Sequence, residues 1–234
     1  MGSPPVWADE RQAPEIAVLA QRYGTPVLVE ERLSVRKLFS AINGWAGRVA
    51  EVVFAIQRPN GRLLTMTKEF YPAGAYRLPS GSIREGEGIE AALRREIHEE
   101  TGLSVTIVRF LAIVRYKIEV DGGASERFVS YAFLVREVAG ELLPQDAAER
   151  VSGFREVLPT ELAALATSLA QVPDIPGDTR GYWNDWGRFR AIVHRVLAKL
   201  WPARPETVML SAAKHLSPCG GETLRCAQSD RGTT

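Results

Sequence analysis

The residues whose types and spacing could do chemistry lie between Gly81 and Leu103, in the stretch GSIREGEGIEAALRREIHEETGL. Gly81, Gly86 and Gly88 mark its first part as a loop. Ile89 to Thr101 then reads as a helix rich in Ala, Leu, Arg and Glu, with Gly102 as its left-handed stop. Ile89, Ala92, Leu93 and Ile97 recur at helical spacing and form its buried stripe. Glu96, Glu99 and Glu100 stand at i, i+3 and i+4, on a face that overlaps that stripe, so they are not simply solvated. Like charges at this spacing repel by a few tenths of a kcal/mol per pair, and more when partly buried. The negative end of the helix dipole adds to the penalty. A hard divalent cation with oxygen ligands, Mg2+ or Mn2+, removes both problems and keeps water positions for a phosphate substrate. Standing alone, the triplet would also fit a solvated acidic turn.

It does not stand alone. The spacing resembles the signature of the Nudix hydrolase family, whose positions here are Gly81, Glu87, Arg95, Glu96, Ile97, Glu99, Glu100, Gly102 and Leu103. With average residue usage, such a match arises by chance on the order of once in a billion starting points. Only softer flanking preferences differ: Ser80 stands where Gly is common, and Gly88 where Ser often caps the helix. The resemblance covers roughly residues 48 to 165. It implies an α/β fold, an α/β/α sandwich around a mixed β-sheet, and metal-dependent hydrolysis of a diphosphate linkage. Glu96, Glu99 and Glu100 carry over as metal ligands, with the Gly81 carbonyl as a fourth. Arg95 and Glu87 would form an ion pair that holds the loop and orients the glutamates. Glu99 or Glu96 is available as general base, but several family members use a glutamate from a loop beyond this signature, the Nudix box. Asp146 and Glu149 are the candidates there, and Glu149 is preferred.

Substrate class is less legible. A proline at a set interval past the box marks ADP-ribose hydrolases in the family, and a tyrosine slightly further on marks dinucleoside polyphosphate hydrolases. Ile118, Glu119 and Val120 occupy that window, with Tyr116 just short of it, so neither marker is met. Tyr71, Tyr76, Tyr116, Phe128 and Tyr131 are aromatics able to stack on a base, and Arg77, Arg115 and Arg127 are phosphate-binding candidates. Each is equally at home in strand packing. The expected substrate is a small molecule: a nucleoside diphosphate linked to another moiety, which includes nucleoside triphosphates, ADP-ribose and nucleotide sugars.

The elements that must position these residues follow from the rest of the chain. Pro14 to Tyr23 predicts a helix and Pro26 to Leu33 an extended run, with a second short helix over Val35 to Ile42 capped by Ser34. Residues 1–47 thus form an extension, available for dimerisation or for covering the substrate site. Ala50 to Gln57 and Arg62 to Lys68 predict a hairpin, as do Val105 to Val120 and Ser125 to Val135. Phe154 to Leu162 predicts a short strand running into a helix near Pro159, whose Pro159, Glu161 and Leu162 are similar to a common family ending. Pro173 to Thr179 reads as a connection. Residues 166–201 form a C-terminal helical region in which Trp186, Phe189, Val193, Val196, Leu197 and Leu200 line one face, as core or homodimer packing. Residues 202–234 read as a disordered tail without function.

With 234 residues and 45% hydrophobic content, the chain can bury a full core. A net charge of +1 gives no basic field for sequence-independent nucleic-acid binding, so no polynucleotide partner is expected. No window reaches the ~20 apolar residues that span a bilayer, and MGSPPVWADERQAPE lacks a basic region followed by an apolar one, so a cytoplasmic protein without a membrane partner is expected. Cys219 and Cys226 fit neither a redox pair nor a zinc site. His98 occupies a variable slot, and His194 stands alone on the last helix as a packed or surface side chain. A nucleotide sensor that has lost catalysis is the main rival reading, but it usually brings a degraded box and a basic winged helix. A prenyl diphosphate isomerase would need a core cysteine.

Overall fold

β2 (Ala50–Gln57) is buried along nearly its whole length because its side chains alternate between two cores. Val52, Phe54 and Ile56 point to one, shared with Ile89, Ala92, Leu93 and Ile97 of α3 (Ile89–Thr101). Val53 and Ala55 point to the other, shared with α4 (Leu162–Ala170) and α5 (Trp183–Leu200). The remaining elements are α1 (Ala8–Arg11), α2 (Ala13–Tyr23), β1 (Val27–Val35), β3 (Leu63–Lys68), β4 (Ser80–Ser82), β5 (Ser104–Val120), β6 (Ser125–Ala139) and β7 (Val151–Val157). The computed structural model describes residues 7–36, 50–123, 125–175 and 182–201. The chain divides into Met1–Trp201 and Pro202–Thr234. The second unit, with its two cysteines and the expected disorder, lies outside the described residues.

The sheet is mixed, as expected. Its order is β1-β5-β6-β2-β3-β7, with β4 added against β2. β1 runs parallel to β5 and β2 parallel to β6, while the long β5–β6 hairpin is antiparallel. α1, α2 and α3 contribute Ala8, Leu19 and Ile89 to the core on one face, and α4 and α5 pack on the other. α4 runs through residue 165, so the expected C-terminal helical region begins within a helix and shares the core of the sheet. Among the described residues, no helix is long and apolar enough to cross a membrane.

Two expectations change. The helix expected over Val35 to Ile42 does not begin where predicted, because Ser34 and Val35 extend β1 and pair with Glu119 and Val120. A ready parallel partner in the long β5 outweighs the local capping signal; residues 37–49 lie outside the described set. The β2–β3 hairpin has its predicted turn, with Gly61 at φ 81° and its amide donating to Arg58 O at 2.9 Å. Yet the strands pair only at Gln57 and Leu63. Beyond that point they fork: β4 lies along β2, with Gly81 opposite Val52, while β3 pairs with β7. This fork sets Gly81 and Lys68 on either side of the C-terminal half of α3.

The start of α3 is capped from another element. Gly88 has no side chain to cap with, and Glu15 of α2 accepts from the amides of Ile89 at 2.9 Å and Glu90 at 3.2 Å. A Cβ at Gly88 would sit 2.9 Å from Glu15 Oε1, so the missing side chain makes room for the cap. At the other end Gly102 adopts φ 69° and its amide donates to His98 O at 2.9 Å.

Candidate active site

The last turn of α3 carries its three glutamates at three depths. Successive side chains turn by about 100° along a helix, so Glu96 is flanked by Glu99 toward solvent and by Glu100 toward the core. Glu96 is 4% exposed, Glu99 is half-buried and Glu100 is fully buried. A fourth carboxylate arrives from the loop before β7, on the 3-10 turn Ala147–Glu149. Asp146 caps that turn by accepting from Ala148 N at 2.8 Å, which gives Asp146 a structural task. The amides of Gln145 and Leu143 donate to Glu99 O at 2.9 Å and Thr101 O at 3.0 Å, tying the loop to the end of α3. Carboxylate oxygens of Glu96, Glu99 and Glu149 all lie within 4.8 Å of one another. Such a set of hard oxygen donors fits Mg2+ or Mn2+.

Arg95 and Gly81 hold this cluster. Arg95 Nε and Nη2 donate to the two oxygens of Glu87 at 2.7 and 2.8 Å, and Nη2 also donates to Ser82 O at 2.9 Å. Its Nη1 reaches Glu96 at 2.7 Å and Glu99 at 2.8 Å. One guanidinium therefore joins the loop, β4 and two of the clustered acids. Gly81 is required for close approach: a Cβ there would fall 1.8 Å from Glu96 Cδ. The Glu96 carboxyl is pushed up to about 7, first by burial and then by the neighbouring Glu100 charge, with Arg95 opposing.

Glu100, expected as a ligand, lies deeper than the other two glutamates. It faces the core, and Lys68 Nζ lies 3.1 Å from its Oε1 while Arg77 Nη2 lies 4.0 Å away. Burial raises its pKa, and Lys68 and Arg77 oppose the shift. Among the described residues neither Glu100 oxygen has a directed hydrogen bond, so Lys68 serves it as a charge partner. Lys68 also donates to Glu149 Oε2 at 2.5 Å. Sequence reasoning missed this lysine, although the β3 alternation Leu64, Met66, Lys68 places it on the α3 side of the sheet.

The expected substrate-binding residues are not gathered here. Arg77 is 2% exposed, and its Nε and Nη1 donate to Tyr71 Oη, Leu78 O and Ser80 Oγ at 2.8, 2.8 and 3.0 Å, so most of its fork is engaged inside the protein. Tyr76 packs against the α4–α5 core, under the Arg155 guanidinium, beside a cavity of about 350 Å3 bounded by Pro72, Leu165 and Val172. Arg115 is bound by Asp9 at 2.8 Å and Glu30 at 3.1 Å, and both Arg115 and Arg127 lie over the Trp7 ring. Tyr116, Phe128 and Tyr131 are buried in strand packing, and Tyr71 packs among Phe70, Trp183 and Trp186.

A second polar cluster braces the approach to Gly81 from the opposite face. His194 of α5 accepts from Leu78 N at its Nε2, at 2.9 Å. Its proton therefore sits on Nδ1 and is donated to Arg190 O at 2.7 Å. Burial holds this imidazole down at about 3, so it is neutral, and of the two expected placements, packed or surface, it takes the packed one. Arg190 Nη1 donates to Glu51 at 2.7 Å and Ser80 Oγ at 3.1 Å, and Ser130 donates to Glu51 at 2.7 Å. Sequence periodicity gave no sign of these polar partners, because Glu51 sits inside an otherwise apolar strand and Arg190 is one of several charged residues along α5.

The class is that of a mixed sheet between helical layers, with a glycine loop and an arginine-braced glutamate helix at a fork in the sheet. Residues 47–174, more than half of the chain, match the family model for the NUDIX domain. The chain belongs to the Nudix family. It is 31% identical over 99 residues to an ADP-ribose pyrophosphatase of Methanocaldococcus jannaschii, spanning 42% of this chain and 57% of that protein's length. Among solved structures, a NUDIX-family hydrolase from Clostridium perfringens is similar with 14% identity and a TM-score of 0.42, covering 67% of this chain and 99% of that one. The E. coli dihydroneopterin triphosphate pyrophosphohydrolase gives 16% identity and a TM-score of 0.36, covering 50% and 84%. The family assignment rests on the sequence match and the box rather than on these low scores.

Proposed function

We propose that the protein is a metal-dependent hydrolase of the diphosphate linkage in a nucleoside diphosphate joined to another moiety, of the nucleoside triphosphate, ADP-ribose or nucleotide-sugar type. The observation that carries this reading is the convergence of Glu96, Glu99 and Glu149, from two separate segments, within 4.8 Å. The similarity to an ADP-ribose pyrophosphatase supports the reaction class. When bound, Mg2+ or Mn2+ supplies neutralisation of the phosphate oxygens and activation of water. Glu96 and Glu99 would hold the cation, with the Gly81 carbonyl as a further oxygen beside Glu96. Arg95 fixes Glu96 and Glu99 on the same side of the helix, so the oxygens meet the cation without rearranging. Glu149 is the preferred base: Lys68 engages its Oε2, leaving Oε1 to receive the proton of the attacking water. Glu100, enclosed beside Lys68, contributes negative charge beneath the site.

The test is release of phosphate or nucleoside monophosphate from a panel of nucleoside triphosphates, ADP-ribose, nucleotide sugars and dinucleoside polyphosphates, with Mg2+, with Mn2+ and with chelator. Metal-dependent turnover of one class is the expected result. Tight binding of a panel member with no turnover would overturn the hydrolase reading in favour of a sensor.

A further inference from the structure

We propose that Arg84 is a binding residue for the diphosphate of the substrate: in the free protein its guanidinium rests on Glu99, and in the complex it passes to a phosphate oxygen. The inference rests on the proposed cation site at Glu96 and Glu99. Arg84 belongs to the glycine loop ahead of α3, and Glu87 fastens its backbone twice. Arg84 N donates to Glu87 Oε2 at 2.9 Å, and Glu87 N donates to Arg84 O at 3.0 Å. Arg95 in turn holds Glu87 with two donors, so the Arg84 side chain starts from a fixed point beside the cluster. Its far end is held loosely. The side chain is 62% exposed, and Nη2 reaches Glu99 Oε1 at 3.3 Å, longer than the 2.8 Å at which Arg95 holds Glu99 Oε2.

The other arginines around the cluster are engaged elsewhere. Arg95 spends its donors on Glu87, Ser82, Glu96 and Glu99, and most of the Arg77 fork is taken up inside the protein. Arg150, next to Glu149, donates to Glu69 at 3.0 Å and lies over the Phe70 ring. A guanidinium carries five N–H donors, and Arg84 uses one of them among the described residues. Once Glu99 is committed to a cation, Arg84 loses the charge that it neutralises, and the two positive groups repel each other. A diphosphate relieves that repulsion, because the Arg84 fork can donate two parallel N–H bonds to phosphate oxygens. Arg84 therefore hinders the cation in the absence of diphosphate and favours the complex in its presence, so the two ligands are coupled through one side chain.

The experiment compares the full chain with Arg84→Met, Arg84→Lys and a charge control, Arg94→Met, whose arginine pairs with Glu90 in the first turn of α3. Thermal melts in chelator establish that each variant is folded. The probes are Mn2+ alone, followed by electron paramagnetic resonance, and methylenediphosphonate, a diphosphate that resists hydrolysis, titrated by calorimetry in Mg2+. Arg84→Met should bind Mn2+ about twofold more tightly, because Glu99 loses an exposed competing partner. The same variant should bind methylenediphosphonate about tenfold more weakly, through the loss of a charged hydrogen bond. Arg84→Lys keeps the charge without the fork and should fall between, while Arg94→Met should match wild type with both probes. With the substrate that the panel identifies, Arg84→Met should raise KM by about tenfold and leave kcat within about threefold. If Arg84→Met binds methylenediphosphonate as wild type does, or if Arg94→Met weakens it equally, Arg84 is a surface partner of Glu99 alone and the proposal falls while the hydrolase reading stands. If the wild-type chain binds neither Mn2+ nor methylenediphosphonate, the cation site itself is misplaced and both readings fall together.

Discussion

Glu51 and the glutamates of α3 are buried on either side of one forked sheet, and their surroundings differ in kind. Glu51 accepts from Arg190, Ser80 and Ser130 at 2.7, 3.3 and 2.7 Å, so the protein alone satisfies it. Around α3, four carboxylates share Arg95, Lys68, Arg84 and a more distant Arg77, and both oxygens of Glu100 lack a directed hydrogen bond among the described residues. The first cluster is a brace, and the second is the site at which we propose a cation binds. A satisfied polar network fixes geometry, whereas an acid-rich one can gain further stability from a bound cation.

The contrast can be broken most sharply at Glu99. Glu99→Gln keeps the shape but removes a ligand charge, so kcat should fall roughly a thousandfold with the melting curve in chelator unchanged or improved. Steady-state kinetics beside thermal melts check this, and full activity would show that the cluster is not the cation site. Arg190→Met attacks the brace instead. It leaves Glu51 uncompensated and should cost about 3–5 kcal/mol in urea unfolding, with Mn2+ affinity per folded molecule little changed. Gly81→Ala lies where the two clusters meet. Its Cβ would collide with Glu96, 1.8 Å from Cδ. Mn2+ binding should weaken by about tenfold or more, as measured by titration calorimetry.

The smallest effect is a pH dependence belonging to the brace. His194 is held down at about 3 against an ordinary value of 6.5, so the unfolded chain takes up its proton first as pH falls. The stability from keeping it neutral is complete above pH 6.5 and is lost progressively between 6.5 and about 3, by an amount on the order of 4 kcal/mol in total. His194→Gln retains an acceptor for Leu78 N without a titrating ring. The stability gap between wild type and this variant should therefore narrow as pH falls below 6.5, in urea titrations at several pH values. An unchanged gap would show that His194 is not held neutral by the fold.

The sequence by itself determined the box: Gly81, Glu87, Arg95 and the glutamate triplet lie within one local segment, where helical spacing dictates which side chains are neighbours. It also determined α3, its Gly102 stop, the β5–β6 hairpin and the apolar face of α5, because each is written in short-range periodicity or turn chemistry. Only the tertiary structure decided that Glu149 joins Glu96 and Glu99 and that Lys68 meets Glu100. That choice depends on the fork between β2 and β3 and on a loop returning from β6, contacts between residues far apart in the chain. Arg77, Arg115 and Arg127 show the same limit from the other side. Residue type alone marks an arginine as ready for phosphate, but whether its donors are free depends on which carboxylates, carbonyls and rings the fold brings beside it.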